Sequence, residues 1–319
     1  MARRSKAVFS IGMDLGGTKI AAGLCRGGEI LKKVVVPTHA AKGFDAVIEA
    51  MAGAARAAMG DTDPAQVAGV GIGAAGQIDP RTGAVLYAPN LRWTNAPLGG
   101  SLSAALGLPV RVTNDVRAAT IAEWKFGAGK GLDNFVNIFL GTGIGSGIVL
   151  NGQLCQGATN SAGEIGHICL DPEGPVCGCG HKGCFEAFSS GRGIENEVKR
   201  RLQKGAKSLI RDEVGDDLDK VTGHLVGKAA REGDEVALAA LAKAGRYLGL
   251  ALANVHTLLN PDRILLGGGV MALKKFFLPD ARAALHRHIL PVADRGDDLL
   301  GEARFETEAV FLGGAALFA

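Results

Sequence analysis

The sequence predicts an α/β protein built as two lobes with related cores. At 319 residues, the chain is longer than one hydrophobic core usually serves. Strand-like and helix-like stretches alternate along it. A strand, a glycine turn and a second strand occur near residue 14 and again near residue 141, and this recurrence indicates two units of similar design.

The first part of the chain contains the elements of one such unit. Strands are predicted over 8–13, 20–25, 67–72 and 110–112, and helices over 44–59, 98–106 and 116–126. Pro80, Pro89 and Pro97 predict that residues 80–97 form a long loop. This unit would be a small lobe of residues 1–115.

The second part repeats the alternation, and its lobe would span residues 116–300. Strands are predicted over 135–140, 147–150 and 263–266, and helices over 193–204, 241–259 and 273–289. The charged stretch 204–220 is expected at the surface. The apolar tail within residues 301–319 is expected to pack back onto the first lobe.

The composition excludes several classes of protein. Apolar residues make up 47% and charged residues 21%, as in ordinary globular proteins. The net charge of +3 is small and the basic residues are spread out, so no nucleic-acid partner is predicted. The apolar run after the basic N-terminus is too short for a signal peptide. Lys243, Arg246 and His256 interrupt the apolar stretch 236–259, which indicates a buried helix and no membrane partner.

One glycine motif resembles a dinucleotide-binding turn only in its spacing. "GIGAAG", residues 71–76, follows a predicted strand. The dinucleotide turn must open a helix, whereas the next residues, "QIDPRTG", contain Pro80 and turn formers. We therefore reject that function for this motif.

Three other glycine motifs are candidate phosphate-binding turns: "DLGGTK" (14–19), "GTGIGSG" (141–147) and "GGGV" (267–270). Consecutive glycines leave backbone N–H groups open to a phosphate. In the first motif, Thr18 and Lys19 add a hydroxyl and an ammonium, and Asp14 could hold Mg²⁺ through water. Each motif alone could be a structural turn, but three together indicate a phosphate ligand.

Two polar pairs have both a structural and a functional interpretation. Asn114 and Asp115 lie between a short strand and a helix, where they could cap the helix or present a carboxylate to a substrate. Glu164 and His167, in "AGEIGHI", could bind a ligand or belong to a simple helical turn. Local sequence leaves both alternatives open.

The cysteine cluster "CGCGHKGCFE" predicts a metal site. Cys177, Cys179 and Cys184 bring three thiolates together, and His167 can complete a tetrahedral shell for Zn²⁺. A disulfide is disfavoured because the cysteine usage suggests a reducing cytoplasm. With four protein ligands the site would be closed, and therefore structural.

With these residues in view, the sequence resembles the ROK family of bacterial sugar kinases and repressors over nearly its whole length. The resemblance rests on seven motifs in the family's order: "DLGGTK", "GIGAAGQID", "VTNDVRAAT", "LGTGIGSGIVLNGQL", "SAGEIGH", "CGCGHKGCFE" and "NPDRILLGGGV". It implies an actin-like ATPase, hexokinase-type α/β fold with a cleft between two lobes. It also implies ATP-dependent phosphorylation of a hexose at the C6 hydroxyl, with glucose favoured.

The resemblance also implies roles for individual positions. Asp115 matches the catalytic base and contacts the sugar. The other sugar-binding positions are Gly76, Asn114, Glu164, His167 and Glu186. The positions for ATP and Mg²⁺ are Asp14, Gly16, Gly17, Thr18, Lys19, Gly141, Thr142, Gly143, Gly267, Gly268 and Gly269. The zinc ligands are His167, Cys177, Cys179 and Cys184.

Several alternatives remain at this point. N-acetylglucosamine and N-acetylmannosamine kinases share most of the motifs, and polyphosphate or ADP could replace ATP as donor. A sugar-sensing repressor of the same family is disfavoured, because thirteen residues before Asp14 leave no room for a helix-turn-helix. A homodimer in the cytoplasm is expected from the resemblance and from the cysteine usage.

Overall fold

Two five-stranded sheets organise this protein, whose computed structural model describes residues 8–319. The strands within these residues are β1 (Phe9–Leu15), β2 (Lys19–Arg26), β3 (Glu29–Pro37), β4 (Val67–Ala74), β5 (Gln77–Ile78), β6 (Val85–Ala88), β7 (Trp93–Ala96), β8 (Val110–Asn114), β9 (Phe135–Leu140), β10 (Ile144–Leu150), β11 (Gln153–Leu154), β12 (Arg263–Gly267) and β13 (Leu300–Glu302). The α-helices are α1 (Phe44–Met59), α2 (Leu98–Leu106), α3 (Asp115–Phe126), α4 (Phe185–Ser189), α5 (Gly191–Gln203), α6 (Leu209–Val214), α7 (Gly223–Arg231), α8 (Glu235–Leu259), α9 (Lys274–His288) and α10 (Ala309–Ala316).

The two sheets have corresponding strand orders. The first is β3-β2-β1-β4-β8 and the second is β11-β10-β9-β12-β13. In the first sheet, β1 is antiparallel to β2 and parallel to β4, and β4 is parallel to β8. In the second sheet, β12 is parallel to both β9 and β13. The recurrence in the sequence therefore reflects two sheets of the same design.

The chain divides into two units. The first contains residues 8–133, 147–162 and 303–319, and the second contains residues 134–146 and 163–302. The division passes through strand β10, between Ser146 and Gly147. The lobe boundaries expected from the sequence, at 115/116 and 300/301, stay a prediction.

The C-terminal helix α10 belongs to the first unit and packs against β1, β4 and α3. Its backbone lies so close to the sheet that a Cβ on Gly12 would be 1.7 Å from the Phe311 oxygen. A Cβ on Gly71 would similarly be 1.8 Å from the Gly314 oxygen. Glycine is therefore required where β1 and β4 meet this helix, and the contact fixes the two strands that lead to the candidate site.

Helix α8 is the long apolar element of the second unit. It is long and apolar enough to cross a membrane by composition, but 61% of its most apolar window is buried inside the protein. It packs against α4, α5, α7 and α9. Asp234 caps its first turn by accepting a hydrogen bond of 2.8 Å from the Ala237 N–H. We therefore describe α8 as a core helix, as the sequence predicted.

Some elements differ from the sequence-based expectation. The prediction of a loop over 80–97 is wrong, because β6 and β7 lie there and form a three-stranded sheet with β5. Strand β3 was not expected, and α8 begins at Glu235 instead of residue 241. Helices α1 and α2 have the predicted bounds. The missed strands are short and are defined by their pairing partners, which local periodicity does not reveal.

Candidate active site

Several predicted site residues of the first unit lie at one edge of its sheet. Strands β1, β4 and β8 are parallel, with Asp14 opposite Gly73 and Ala74 opposite Asn114. Their carboxyl ends therefore meet at the same edge, which is where open α/β sheets bind ligands. Helix α3 begins there with Asp115.

Asn114 both caps helix α3 and holds a neighbouring loop. Its side-chain oxygen accepts hydrogen bonds from the N–H groups of Val116 (3.0 Å) and Arg117 (3.3 Å). Its Nδ2 donates to the Gly76 oxygen at 3.2 Å. Asn114 therefore does cap the helix. The same side chain also connects Asn114 to Gly76, the two positions that the family resemblance assigned to sugar binding.

The two carboxyl groups at this edge have raised pKa values. Burial and, to a smaller extent, the charge of Asp115 raise the pKa of Asp14 to about 6, against the opposing charges of Lys19 and Lys33. Burial also raises the pKa of Asp115, although the Val116 N–H donates to its Oδ1 at 2.9 Å. Two neighbouring carboxylates that are difficult to ionise together are typical of a functional site.

The turn between β1 and β2 is held by a residue that the sequence analysis missed. The Gly16 N–H donates to the Lys19 oxygen at 3.1 Å and closes the turn. The buried Thr38 hydroxyl donates to the Gly16 oxygen at 2.7 Å, and the Thr38 N–H donates to the Thr18 oxygen at 3.0 Å. The exposed Thr18 and Lys19 therefore extend from a fixed turn.

In the second unit, Glu186 holds the turn between β9 and β10. Its Oε2 accepts a hydrogen bond of 2.8 Å from the Ile144 N–H. A Cβ on Gly143 would lie 2.4 Å from the same oxygen, so only glycine leaves room for this contact. The Gly141 N–H donates to the Gly143 oxygen at 2.9 Å and shapes the turn. Glu186 and Gly143, predicted for sugar and nucleotide respectively, are thus in contact.

A cavity of about 540 Å³ lies beside this turn. Gly141, Thr142 and Gly269 line it, as expected for nucleotide-binding residues, whereas Gly143, Gly267 and Gly268 are not among its lining residues in the described part of the chain. The Gly191 N–H donates to the Gly141 oxygen at 2.8 Å, which joins helix α5 to the turn. The cavity has the size of a small-molecule site.

Polar side chains from α5 and α7 complete this cavity, and the sequence analysis missed them. These lining residues are Arg192, Glu195, His224 and Arg231. The Glu195 Oε1 accepts a hydrogen bond of 2.7 Å from the Gly223 N–H, so the carboxylate holds the start of α7. No motif marks these positions, because they come from ordinary helical sequence that only the fold brings to Gly141.

Glu164 and His167 flank a short 3₁₀ turn, Ile165–His167, and both side chains are exposed. A Cβ on Gly166 would lie 2.4 Å from the Ile144 oxygen, so this turn packs directly on the backbone of β10. The structure therefore places the "GEIGH" motif beside the residue that Glu186 also contacts. The turn is structural, and its two polar side chains remain available to a ligand.

His167, Cys177, Cys179 and Cys184 form a cluster with the geometry of a metal site. Their ligand atoms all lie within 4.8 Å of one another. The Cys177 Sγ is 3.8 Å from the His167 Nδ1, and the Cys179 Sγ is 3.7 Å from the Cys184 Sγ. A tetrahedral zinc with Zn–S bonds of about 2.3 Å separates its ligands by roughly 3.8 Å. The four residues therefore fit a zinc ion.

The thiols of this cluster differ in acidity. A hydrogen bond from the His181 N–H lowers the pKa of Cys179 to about 6, whereas burial raises the pKa of Cys184 to about 12. Metal binding would release the proton of Cys184, and uptake is therefore expected to depend on pH. His167 directs its Nδ1 toward Cys177, which leaves the Nε2 for another partner.

Two sheets of corresponding strand order, each with helices, are consistent with an actin-like, hexokinase-type α/β protein. Comparison with known proteins agrees, since a profile of the ROK family matches residues 10–319. The chain therefore belongs to the ROK family.

Several known proteins are similar in sequence to this chain over most of its length. A glucokinase of Streptomyces coelicolor is 38% identical over 296 residues, 90% of this chain and 91% of that protein. The crystal structure of a ROK family glucokinase from Streptomyces griseus, in complex with glucose and AMPPNP, is 36% identical with a TM-score of 0.77 and covers 97% of this chain and 98% of its own. A xylose repressor of Caldicellulosiruptor bescii is 30% identical over 70% of this chain but 56% of the repressor.

Proposed function

We propose that this protein transfers the γ-phosphoryl group of ATP to the C6 hydroxyl of glucose. The observation that carries the proposal is Asp115, a carboxyl of raised pKa at the first residue of α3, at the carboxyl ends of the parallel strands β1, β4 and β8. The similar glucokinases over about nine-tenths of the chain support the reaction, and the glucose and AMPPNP in the Streptomyces griseus structure support these two ligands.

Asp115 is the proposed general base. A sugar hydroxyl is a poor nucleophile, and a carboxylate within hydrogen-bond reach can accept its proton as it attacks phosphorus. The raised pKa brings Asp115 closer to the working pH, where a base transfers protons most effectively. Asn114 and Gly76, which are joined by a hydrogen bond, are proposed to bind the same sugar.

Asp14 fits a role near Mg²⁺. Burial first, and then the neighbouring charge of Asp115, raise the pKa of Asp14, and a divalent cation would offset the negative charge of these two carboxylates. When bound, Mg²⁺ supplies charge neutralisation to the phosphoryl group. Gly16, Gly17, Thr18 and Lys19 are proposed to contribute N–H, hydroxyl and ammonium donors to the phosphates.

The cavity beside Gly141 is the proposed site for the nucleoside part of ATP. It is lined by Gly141, Thr142 and Gly269 together with Arg192 and Arg231, two cations that suit a nucleotide. Gly143, Gly267 and Gly268 are proposed to act indirectly, by shaping the turns on which the lining residues lie.

The cysteine cluster is proposed to hold a structural Zn²⁺ that positions the sugar-binding groups of the second unit. Cys184 comes two residues before Glu186, and His167 comes three residues after Glu164. A metal that fixes Cys184 and His167 would therefore fix the backbone next to both glutamates. Glu164, His167 and Glu186 are the proposed ligands of the sugar hydroxyls in this unit.

Substrate and donor can be resolved in one experiment. A coupled assay would compare glucose, N-acetylglucosamine and N-acetylmannosamine as acceptors, and ATP, ADP and polyphosphate as donors. We expect the highest kcat/KM with glucose and ATP. A preference for an N-acetylated sugar would correct the substrate while retaining the kinase, and the absence of transfer to every sugar would refute the proposal.

Assembly and location are proposed from the resemblance and the cysteine chemistry. We propose a homodimer, which light scattering on the purified protein would test, and a monomer would contradict it. We also propose a cytoplasmic location, because six cysteines with free thiols suit a reducing compartment. Fractionation of the source cells with an antibody against the protein would test the location.

A further inference from the structure

A buried arginine links helix α3 to the segment that ends the first unit before residue 163. Arg117 is 4% exposed. Its guanidinium donates to the Asn160 backbone oxygen at 2.7 Å, to the Ala162 oxygen at 3.1 Å and to the Asn160 side-chain oxygen. A buried charge is costly unless its donors are satisfied, and here the guanidinium donors bind oxygens of segment 160–162.

Asn160 extends this connection to a second loop. Its Nδ2 donates to the Ile78 oxygen at 2.6 Å, and its backbone has φ 58°, a left-handed conformation that asparagine tolerates better than most residues. Ile78 follows two residues after Gly76, whose oxygen accepts from Asn114. Hydrogen bonds therefore join α3, segment 76–78, which includes strand β5, and segment 160–162 around the start of the helix that carries Asp115.

The Arg117 guanidinium holds the backbone oxygens of Asn160 and Ala162 in place. Burial and local hydrogen bonds determine the pKa of Asp115, with Asn114 and Val116 as the donors beside it. The contribution of the guanidinium is geometric, because its fixed fork can satisfy three oxygens of one segment simultaneously.

We propose that Arg117 and Asn160 are positioning residues for sugar binding, which hold Gly76 and Asn114 in the arrangement that the sugar requires. This inference rests on the proposed function, because it concerns the affinity for the sugar of the same reaction. In this proposal the two residues act through the segments that carry Gly76 and Asn114, without contacting the sugar or the phosphates themselves. Their loss therefore weakens sugar binding and leaves nucleotide binding and the pH profile unchanged.

Arg117→Gln and Asn160→Asp test the inference. Asn160→Asp retains the acceptor for Arg117 and removes the donor to the Ile78 oxygen, so it interrupts one connection while the buried cation stays paired. For each variant we expect KM for glucose, and Kd for glucose by calorimetry, to rise about tenfold, with KM for ATP within about twofold of wild type. Arg117→Lys should not restore affinity, because a lysine lacks the planar fork.

Arg56→Gln is the matched control. Arg56 also lies in the first unit and donates to a backbone oxygen, that of Ala105, at 2.6 Å, but it is exposed and joins α1 to the end of α2. This variant should retain the wild-type KM for glucose. Backbone hydrogen exchange should increase in segments 157–162 and 74–78 of the Arg117→Gln variant. In the Arg56→Gln variant the exchange of both segments should remain unchanged.

The outcomes separate the inference from the proposed function. If the wild-type protein phosphorylates glucose and Arg117→Gln shows an unchanged KM for glucose, the inference is wrong and the function stands. Equal increases in the KM values for glucose and ATP would also overturn it, because they indicate general loosening. If the wild-type protein phosphorylates no sugar, the proposed function itself fails.

Discussion

The two glycine turns of the protein occupy corresponding places in their sheets but carry different chemistry. In the first, Asp14 lies two residues before Gly16 at the end of β1, whereas in the second, Phe139 lies two residues before Gly141. The carboxylate at the second turn comes from outside the sheet, because Glu186 accepts a hydrogen bond from the Ile144 N–H. The same scaffold thus supplies an acid in one unit and a neutral, braced turn in the other.

This difference assigns separate tasks to the two turns. An acid that ends a strand beside Asp115 suits cation and phosphate chemistry. A neutral turn whose N–H is already paired with Glu186 cannot contribute in that way, and it forms a wall of the proposed nucleotide cavity. If the contrast holds, substitutions in the two turns should have different effects.

The largest effect is expected from the acids of the first unit. Asp115→Asn should lower kcat by about 10²-fold or more, because it removes the proposed general base. The Kd for glucose, measured by calorimetry, should change little. Asp63→Asn is the matched control, since Asp63 also accepts a backbone hydrogen bond at a helix start, from the Ala65 N–H at 2.9 Å, but is exposed. A near-normal kcat for Asp115→Asn would remove Asp115 from the chemistry.

The next largest effect concerns the metal cluster, which should influence the second turn alone. Metal analysis should find about one zinc per chain, and Cys184→Ser should lose it and unfold at a lower temperature. Hydrogen exchange should increase at 141–146, which Glu186 braces, and stay constant at 14–19. Cys169→Ser is the control, because Cys169 is exposed and lies outside the cluster. Full activity without bound metal would exclude this role.

A smaller effect is expected when the Glu186 side chain, which holds the second turn, is displaced. Gly143→Ala places a Cβ 2.4 Å from the Glu186 Oε2, and this flexible side chain must move away. We expect kcat/KM for glucose to fall about tenfold with little change in the unfolding temperature. Gly100→Ala, which meets open space in an exposed position of α2, should leave kcat/KM unchanged. Equal kinetics in the two variants would show that Glu186 needs no fixed position.

The smallest effect is a change in stability with pH. The pKa of Asp14, about 6 in the folded protein, exceeds its unfolded value, and that of Asp115 is also raised. Both carboxyls therefore favour folding below pH 4. For Asp14 this contribution is lost as the pH rises through about 6, and for Asp115 it is lost as the pH rises through its own raised pKa. Asp115→Asn should thus increase the free energy of unfolding at pH 7.5.

Urea unfolding at pH 7.5 and pH 4 would measure this change. The gain should be present at pH 7.5 and should fade as the pH falls toward 4, because Asp115 is then protonated in the wild-type protein as well. A variant that is less stable than wild type at pH 7.5 would show that Asp115 is not under electrostatic strain. Such a result would weaken the contrast between the charged turn and the neutral turn.

Much of the fold could be predicted because its strongest signals are local. Helix α1 follows an alanine-rich apolar pattern, and the two hairpins are marked by glycines between buried strands. The family and fold class implied by the resemblance are confirmed by the family match and the similar structures. Strands β6 and β7 escaped prediction because each has only four residues and depends on its partners.

The candidate site was only partly predictable for a similar reason. The acids and glycines lie in recognisable motifs, so Asp14, Asp115 and Gly141 could be named in advance. Thr38 and Arg192 reach the turns from distant parts of the chain, and nothing in their local sequence marks them. Long-range contacts of this kind depend on the completed fold.

Phosphoryl transfer from ATP to the C6 hydroxyl of glucose is tested most directly by the structure of the reaction product. Glucose and ATP would be incubated with the protein, and the product would be examined by phosphorus and proton NMR. The account predicts phosphorus coupled to the C6 protons of glucose, and no product when 6-deoxyglucose replaces glucose. Phosphate on another hydroxyl, or release of inorganic phosphate without transfer to the sugar, would contradict it.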